Sequence, residues 1–198
     1  PVTVGIVAEE LARADISCAL PTFFLVPCAW GHIFDKFAKK SVKERYLPGV
    51  TSGKMFLGIA ATEPDAGSDL ANTRTTAKKS KDKWLINGEK MFISGVEESM
   101  EVMEEGGIYV SVFKTDPSKG TRGMSLFAVP VSKNVRGMSP TVLDDWGRRG
   151  ISTGGLAYDN VELPLDNLMG EEGKGFYGLV EGFDYARGII TVICASVA

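Results

Sequence analysis

The run Ala61-Thr62-Glu63-Pro64-Asp65-Ala66-Gly67-Ser68-Asp69 is the stretch whose residue types are best suited to chemistry. It follows an apolar segment, turns at a proline, and then offers small residues with hydroxyls at both ends. Gly67 has no side chain, so backbone N–H groups there can come close to a phosphate, and Ser68 adds a donor. From these residues alone a plain Pro-Gly surface turn is an equally good reading. Other combinations fail on type or spacing. His32 is the one histidine, which excludes histidine-based triads and multi-histidine metal sites, and its apolar surroundings suit a structural role. Gly170, Gly173 and Gly175 have the wrong spacing for a dinucleotide fingerprint. Gly173-Lys174-Gly175 lacks the hydroxyl residue that a P-loop needs after its lysine, so this segment reads as a flexible linker. Asp144-Asp145 and Glu171-Glu172 are adjacent pairs whose side chains point apart and read as solvated. Cys18, Cys28 and Cys194 are scattered and odd in number, which fits neither a disulfide framework nor a zinc site and favours a reducing compartment. No metal site is expected.

The elements that must position the loop fall into two compositional regimes. From Val4 to about Gly53 the residues favour helix, with Ser41 available as a cap and Pro48-Gly49 as a stop. From Met55 to about Pro164 they read as strands: Phe56 to Thr62, Thr73 to Lys78, Ile108 to Lys114, Met124 to Val129 and Leu156 to Val161. Between Lys83 and Gly95, Trp84 and Ile86 alternate with polar neighbours and Asn87-Gly88 can make a two-residue turn. That pattern predicts a hairpin with Met91, Phe92 and Ile93 on its return strand. Phe183 to Val197 has the apolar density of a buried helix. Short strands without long intervening helices predict an α+β fold: a middle antiparallel β-barrel or sandwich flanked by helices of an incomplete all-α portion. The expected division is 1–53 helical, 54–165 β-domain, and 166–198 linker and first helix of a further helical domain.

With 22 basic and 25 acidic residues the net charge is -3, and no run of like charge could track a phosphate backbone, so nucleic acid is excluded as a partner. Ile16 to Phe34 is uncharged and nearly long enough to span a bilayer, but Pro21 and Pro27 fall inside it. A buried, broken helix is expected there rather than a membrane span. The residue at position 1 is proline, and the chain start carries no basic or amphipathic targeting pattern.

Thr62 to Asp69 resembles the Thr-Glu-Pro-x-Ala-Gly-Ser-Asp signature of the acyl-CoA dehydrogenases. Four further segments resemble that family in the same order: Ile86-Asn87-Gly88-Glu89-Lys90-Met91-Phe92-Ile93-Ser94-Gly95, Trp146-Gly147-Arg148-Arg149-Gly150-Ile151-Ser152-Thr153, Tyr158-Asp159-Asn160-Val161-Glu162-Leu163-Pro164, and Phe183-Asp184-Tyr185-Ala186-Arg187. The resemblance covers essentially the whole chain, which corresponds to about the middle half of a usual member. It implies a site for FAD. Thr62 and the backbone around Ile59 and Ala61 would meet the pyrimidine side of the flavin, and Gly67 and Ser68 would sit at the pyrophosphate. Phe92 would place an aromatic ring against the flavin with Ile93 beside it, and Ser94 would address the N5 region. A hydride-accepting flavin needs such a dry wall with a few donors. Strand-exit loop and hairpin edge must therefore converge on one groove.

By the same resemblance, Ser68, Asp184 and Arg187 lie near the acyl-CoA substrate, and Ala19, Leu20 and Phe23 line the acyl pocket. Family chemistry removes an α-proton with a glutamate, which a minority of members carry just before the arginine matched by Arg187. That position is Ala186 here, so no catalytic residue is assigned and the base is expected beyond Ala198. The implied activity is α,β-dehydrogenation of an acyl-CoA thioester to the trans-2-enoyl form, with electrons passing to an electron-transfer flavoprotein. A homotetramer in the bacterial cytoplasm or the mitochondrial matrix is the implied setting. An acyl-CoA oxidase using dioxygen, and a non-catalytic CoA-binding or assembly module, are the alternatives.

Overall fold

The protein is described from a computed structural model that covers residues 2–147 and 149–198. Arg148 of the third resembling segment lies outside the described residues. Three helices come first: α1 (Val2–Ala14), α2 (Ala19–Phe37) and α3 (Lys40–Thr51). Strands follow: β1 (Phe56–Ala60), β2 (Thr76–Ser80), β3 (Lys83–Ser94), β4 (Gly107–Lys114), β5 (Met124–Val131), β6 (Met138–Leu143), β7 (Thr153–Pro164) and the short β8 (Leu168–Met169). Helix α4 (Gly175–Val197) closes the described chain. The α+β class is as expected.

From Ala19 the apolar stretch forms one continuous helix rather than a broken one. Pro21 stands in its first turn, where a missing N–H costs nothing, and Pro27 is accommodated inside because Leu25, Val26, Ala29 and Trp30 bury one face around it. Among the described residues no helix is long and apolar enough to cross a membrane. Ser41 does not cap α3. Lys39 holds the cap position, and the Ser41 hydroxyl donates to Asp166 Oδ2 at 3.3 Å. The helix also runs past Pro48-Gly49 to Thr51.

The sheet runs in the order β6-β7-β3-β2-β4-β5-β8 and is antiparallel except at β4, where β1 and β2 both pair in parallel. One edge of β4 carries β5, so β1 and β2 share the other: Ala60 pairs with Ser111 and Thr76 with Lys114. The Thr-Glu-Pro loop is therefore an excursion from a single sheet edge. It leaves between two strands that lie end to end, and that geometry sets its shape.

The Asn87-Gly88 hairpin does not form. β3 is continuous through these residues, and the hairpin lies earlier, at Lys81-Asp82 between β2 and β3. Gly88 is required for a different reason: with φ at +132°, a Cβ there would stand 2.7 Å from Thr75 Cα. Asn87 instead exchanges hydrogen bonds with Asn160, across an irregularity where β7 carries an extra residue.

The glycine-rich approach after Pro164 is helix from Gly175 onward, and Gly175, Gly178 and Gly182 of that helix stand at close contacts. A Cβ on Gly182 would lie 2.3 Å from the Trp30 ring, so α4 can press directly on α2. Trp30 then meets Phe183 edge-on at 5.2 Å.

Tyr109 on β4 is fully buried and spans from its own strand over β1 to the end of β3. Its hydroxyl donates to the Gly95 carbonyl at 2.7 Å and lies 2.8 Å from Ser99 Oγ in the π-helical turn Glu98–Val102. Burial drives the phenol well above its ordinary value, so it remains a donor. Gly58 pairs with Tyr109 in register, and a Cβ on it would stand 2.3 Å from the ring. Gly58→Ala is expected to cost about 1–3 kcal/mol through overpacking. Chemical denaturation would check this, and an unchanged midpoint would refute the tight packing of Tyr109 on Gly58.

Candidate functional site

Loop 61–75 is held from below by a buried ion pair. Lys90, on β3, is 1% exposed and donates to the Ala61 carbonyl at 2.9 Å and to Glu63 Oε1 at 2.7 Å. The Glu63 carboxylate also accepts the backbone N–H groups of Arg74 at 2.6 Å and Thr75 at 3.1 Å, which ties the start of the loop to its return. Burial pushes the Lys90 ammonium down to about 8 against the raising pull of Glu63. For Glu63, burial acts to raise the pKa, but the Lys90 charge and these hydrogen bonds outweigh it and hold the carboxyl below its ordinary value. Neither residue was among the expected site residues. The readable signal is Lys90 itself, since Trp84, Ile86 and Gly88 set a period of two that aims position 90 inward.

Above this tie lies an open groove of about 660 Å³ between the loop and α4, a size that suits a cofactor or substrate. Thr62, Gly67 and Ser68 line one side, and Phe176, Val180, Phe183 and Arg187 the other. Four of the expected residues therefore converge, although Arg187 is far from the loop in sequence. Asp69 also lines the groove, its carboxylate accepting from Asn72 Nδ2 at 2.6 Å.

The remaining expected residues stand elsewhere. Asp184 faces a smaller depression with Gly5 and Tyr185, although its carboxylate reaches Arg187 at 2.8 Å, so the two are an ion pair along one helix. Ile59 is half-buried and Ala61 buried, so at these positions the backbone is what a ligand would meet. Ile93 is 1% exposed and its side chain belongs to the core, so there too the backbone is what a ligand would meet. Ala19, Leu20 and Phe23 do not line the groove; Phe23 packs on Phe56 at 5.4 Å. His32 stacks on Tyr185 at 4.8 Å, the structural role expected of it. Among the described residues no cluster could hold a metal ion.

Phe92 and Ser94 lie outside the groove at the end of β3, so loop and β3 do not share one groove as expected, although a hydrogen bond from Met91 N to Thr62 O at 2.8 Å joins them. Between Lys90 and Ile93 the register against β7 shifts, giving β3 an extra residue. Phe92 sits in this bulge with φ at +57°, a left-handed backbone that is uncommon for a bulky side chain, and its ring is 65% exposed. A bulge that turns an aromatic ring outward beside a strand exit fits a flat apolar ring system such as a flavin.

Residues 58–161 match the family model described as the acyl-CoA dehydrogenase middle domain, and residues 1–54 match the N-terminal domain of the same family. The chain belongs to the acyl-CoA dehydrogenase family. Its relatives include a cyclohex-1-ene-1-carbonyl-CoA dehydrogenase of Syntrophus aciditrophicus, 36% identical over 99% of this chain and 44% of that protein. The mitochondrial long-chain specific acyl-CoA dehydrogenase of Mus musculus is 35% identical over 95% of this chain and 42% of the relative. The crystal structure of an acyl-CoA dehydrogenase from Geobacillus kaustophilus superposes with a TM-score of 0.83 at 30% identity, over 98% of this chain and 49% of that one. The chain thus spans less than half the length of these relatives.

Proposed function

We propose that the protein is a flavin-dependent acyl-CoA dehydrogenase that converts an acyl-CoA thioester to its trans-2-enoyl form and passes the electrons to an electron-transfer flavoprotein. The observation that carries this reading is the convergence of Thr62, Gly67, Ser68 and Arg187 on one groove, with the outward Phe92 tied alongside it. Thr62, the backbone at Ile59 and Ala61, Phe92 and Ser94 would hold the flavin ring, and Gly67 and Ser68 its pyrophosphate. FAD bound there supplies the two-electron sink for the hydride that leaves the β-carbon.

The chain's own residues bind and orient. Gly67 lets backbone N–H groups approach an anionic oxygen, Ser68 donates to the flavin pyrophosphate or to the CoA chain, and Arg187 brings a cation to the opposite wall. Phe176, Val180 and Phe183 give an apolar lining that excludes water from the reacting carbons. The α-proton requires a carboxylate base. Asp69 accepts from Asn72, and Ala186, buried beside Arg187, carries no acid, so none of these positions is assigned as the base. A homotetramer, as the resemblance implies, belongs to the same proposal.

The test is the visible spectrum of the full-length protein before and after anaerobic addition of acyl-CoA. Flavin absorption that bleaches on addition is expected, and residues 1–198 alone should give no turnover with an artificial acceptor. A colourless protein that binds CoA would replace this reading with a binding module. Peroxide release in air would replace the electron acceptor with dioxygen.

A further inference from the structure

Lys114 is the last residue of β4 and is 7% exposed, and its ammonium donates to the Ala71 carbonyl at 2.8 Å. Among the described residues it makes no ion pair, in contrast to Lys90, whose charge Glu63 answers. A buried ammonium on a single carbonyl is costly to keep unless holding that carbonyl matters. Ala71 belongs to the tight turn Leu70–Asn72, and Asp69, Leu70 and Ala71 all line the groove. The loop is therefore clipped twice by inward lysines, Lys90 of β3 at Ala61 and Lys114 of β4 at Ala71. The backbone of Lys114 adds a third hold, its N–H donating to the Thr75 carbonyl at 2.8 Å where the chain re-enters the sheet.

We propose that Lys114 is a positioning residue for the groove: by its bond to the Ala71 carbonyl it holds the Leu70–Asn72 turn in the shape that accepts a coenzyme A thioester. The ligand class rests on the function proposed above, whereas the hold on the turn does not. Lys114 touches no ligand in this account and acts through the wall residue it fixes. A methionine of similar length removes both the charge and the donor, while a glutamine keeps a neutral donor within reach of the same carbonyl.

The test uses the full-length protein with coenzyme A as the probe, comparing Lys114→Met and Lys114→Gln with the parent. Loss of a charged hydrogen bond of this kind predicts that Lys114→Met weakens coenzyme A binding about tenfold, and Lys114→Gln no more than about threefold. Flavin content and melting temperature should stay close to the parent's, because removing a buried charge offsets the lost bond. A purely structural lysine would instead lower the melting temperature and flavin content in both variants alike. Equal binding by parent and Lys114→Met, or equal loss in both variants with a falling melting temperature, would overturn the proposal.

Hydrogen exchange supplies a readout that does not depend on the ligand. The amides of Asn72 and Thr73 bond to Asp69 and Leu70 across the turn and should lose protection in Lys114→Met but keep it in Lys114→Gln. If the parent binds no coenzyme A, the proposed function fails, and the role of Lys114 is then decided by exchange alone: unchanged protection in Lys114→Met would refute it.

Discussion

Lys90→Met is expected to destabilise the protein by about 3–5 kcal/mol, the usual cost of removing one partner of a buried ion pair. A domain of this size melts about 2–4 °C lower per kcal/mol, so calorimetry should show a fall of roughly 10 °C. The cause is specific. Without the Lys90 ammonium, the Glu63 carboxylate is left buried with only the N–H groups of Arg74 and Thr75, and Ala61 loses its donor. Glu63→Gln combined with Lys90→Met should recover part of the loss, because no buried charge is then unanswered. A double variant no better than Lys90→Met would show that the pair's charge is not what matters.

The same pair predicts a dependence on pH. The Glu63 carboxyl is held below its ordinary value in the folded state, since Lys90 and the loop hydrogen bonds outweigh the raising effect of burial. Above the unfolded value the folded protein therefore has the full benefit of the pair. As pH falls, the unfolded chain takes up the proton first, and the benefit disappears as the folded carboxyl titrates. The parent should lose stability through the acid range by a share that Glu63→Gln does not lose. Parallel acid profiles for the two proteins would contradict this.

Phe92→Gly has an opposite signature, with stability kept and cofactor lost. The left-handed backbone at Phe92 costs a bulky residue about 1–2 kcal/mol, and glycine relieves that while giving back roughly 0.5–1 kcal/mol in unfolded-state freedom. The ring is largely exposed and contributes little packing. The melting temperature of the cofactor-free protein should therefore hold or rise slightly. Under the proposed function, flavin retention should fall up to about tenfold, since stacking on an aromatic face contributes about 0.5–1.5 kcal/mol. Phe92→Trp should retain the cofactor. A Phe92→Gly protein that keeps its flavin, or one that melts well below the parent, would remove Phe92 from the proposed site.

The sequence alone was enough to recognise the helical start, most of the strands and the chemistry-bearing loop. These are local properties: alternation marks a half-buried strand, and proline followed by small polar residues marks a turn wherever they occur. The Asn87-Gly88 turn shows the limit of that reasoning, since the glycine answers to Thr75, just before β2, rather than to its own chain direction. Likewise Gly175 reads as part of a flexible linker when seen in order along the chain, yet it begins α4, where a Cβ would meet the backbone of Ser125 and Leu126 in the sheet.

What only the tertiary structure decided is which residues share a space. Sheet order placed β1 and β2 end to end along β4 and so threw the loop outward between them. α4 then folded back to set Arg187 opposite Ser68 but left Asp184 facing away. Motif order could name Ile93 and Phe92 together but could not tell that a single inserted residue sends one into the core and the other into solvent. Side-chain direction along a strand has a period of two, and one bulge reverses it, so the face a residue takes is settled by its pairing partner across the sheet.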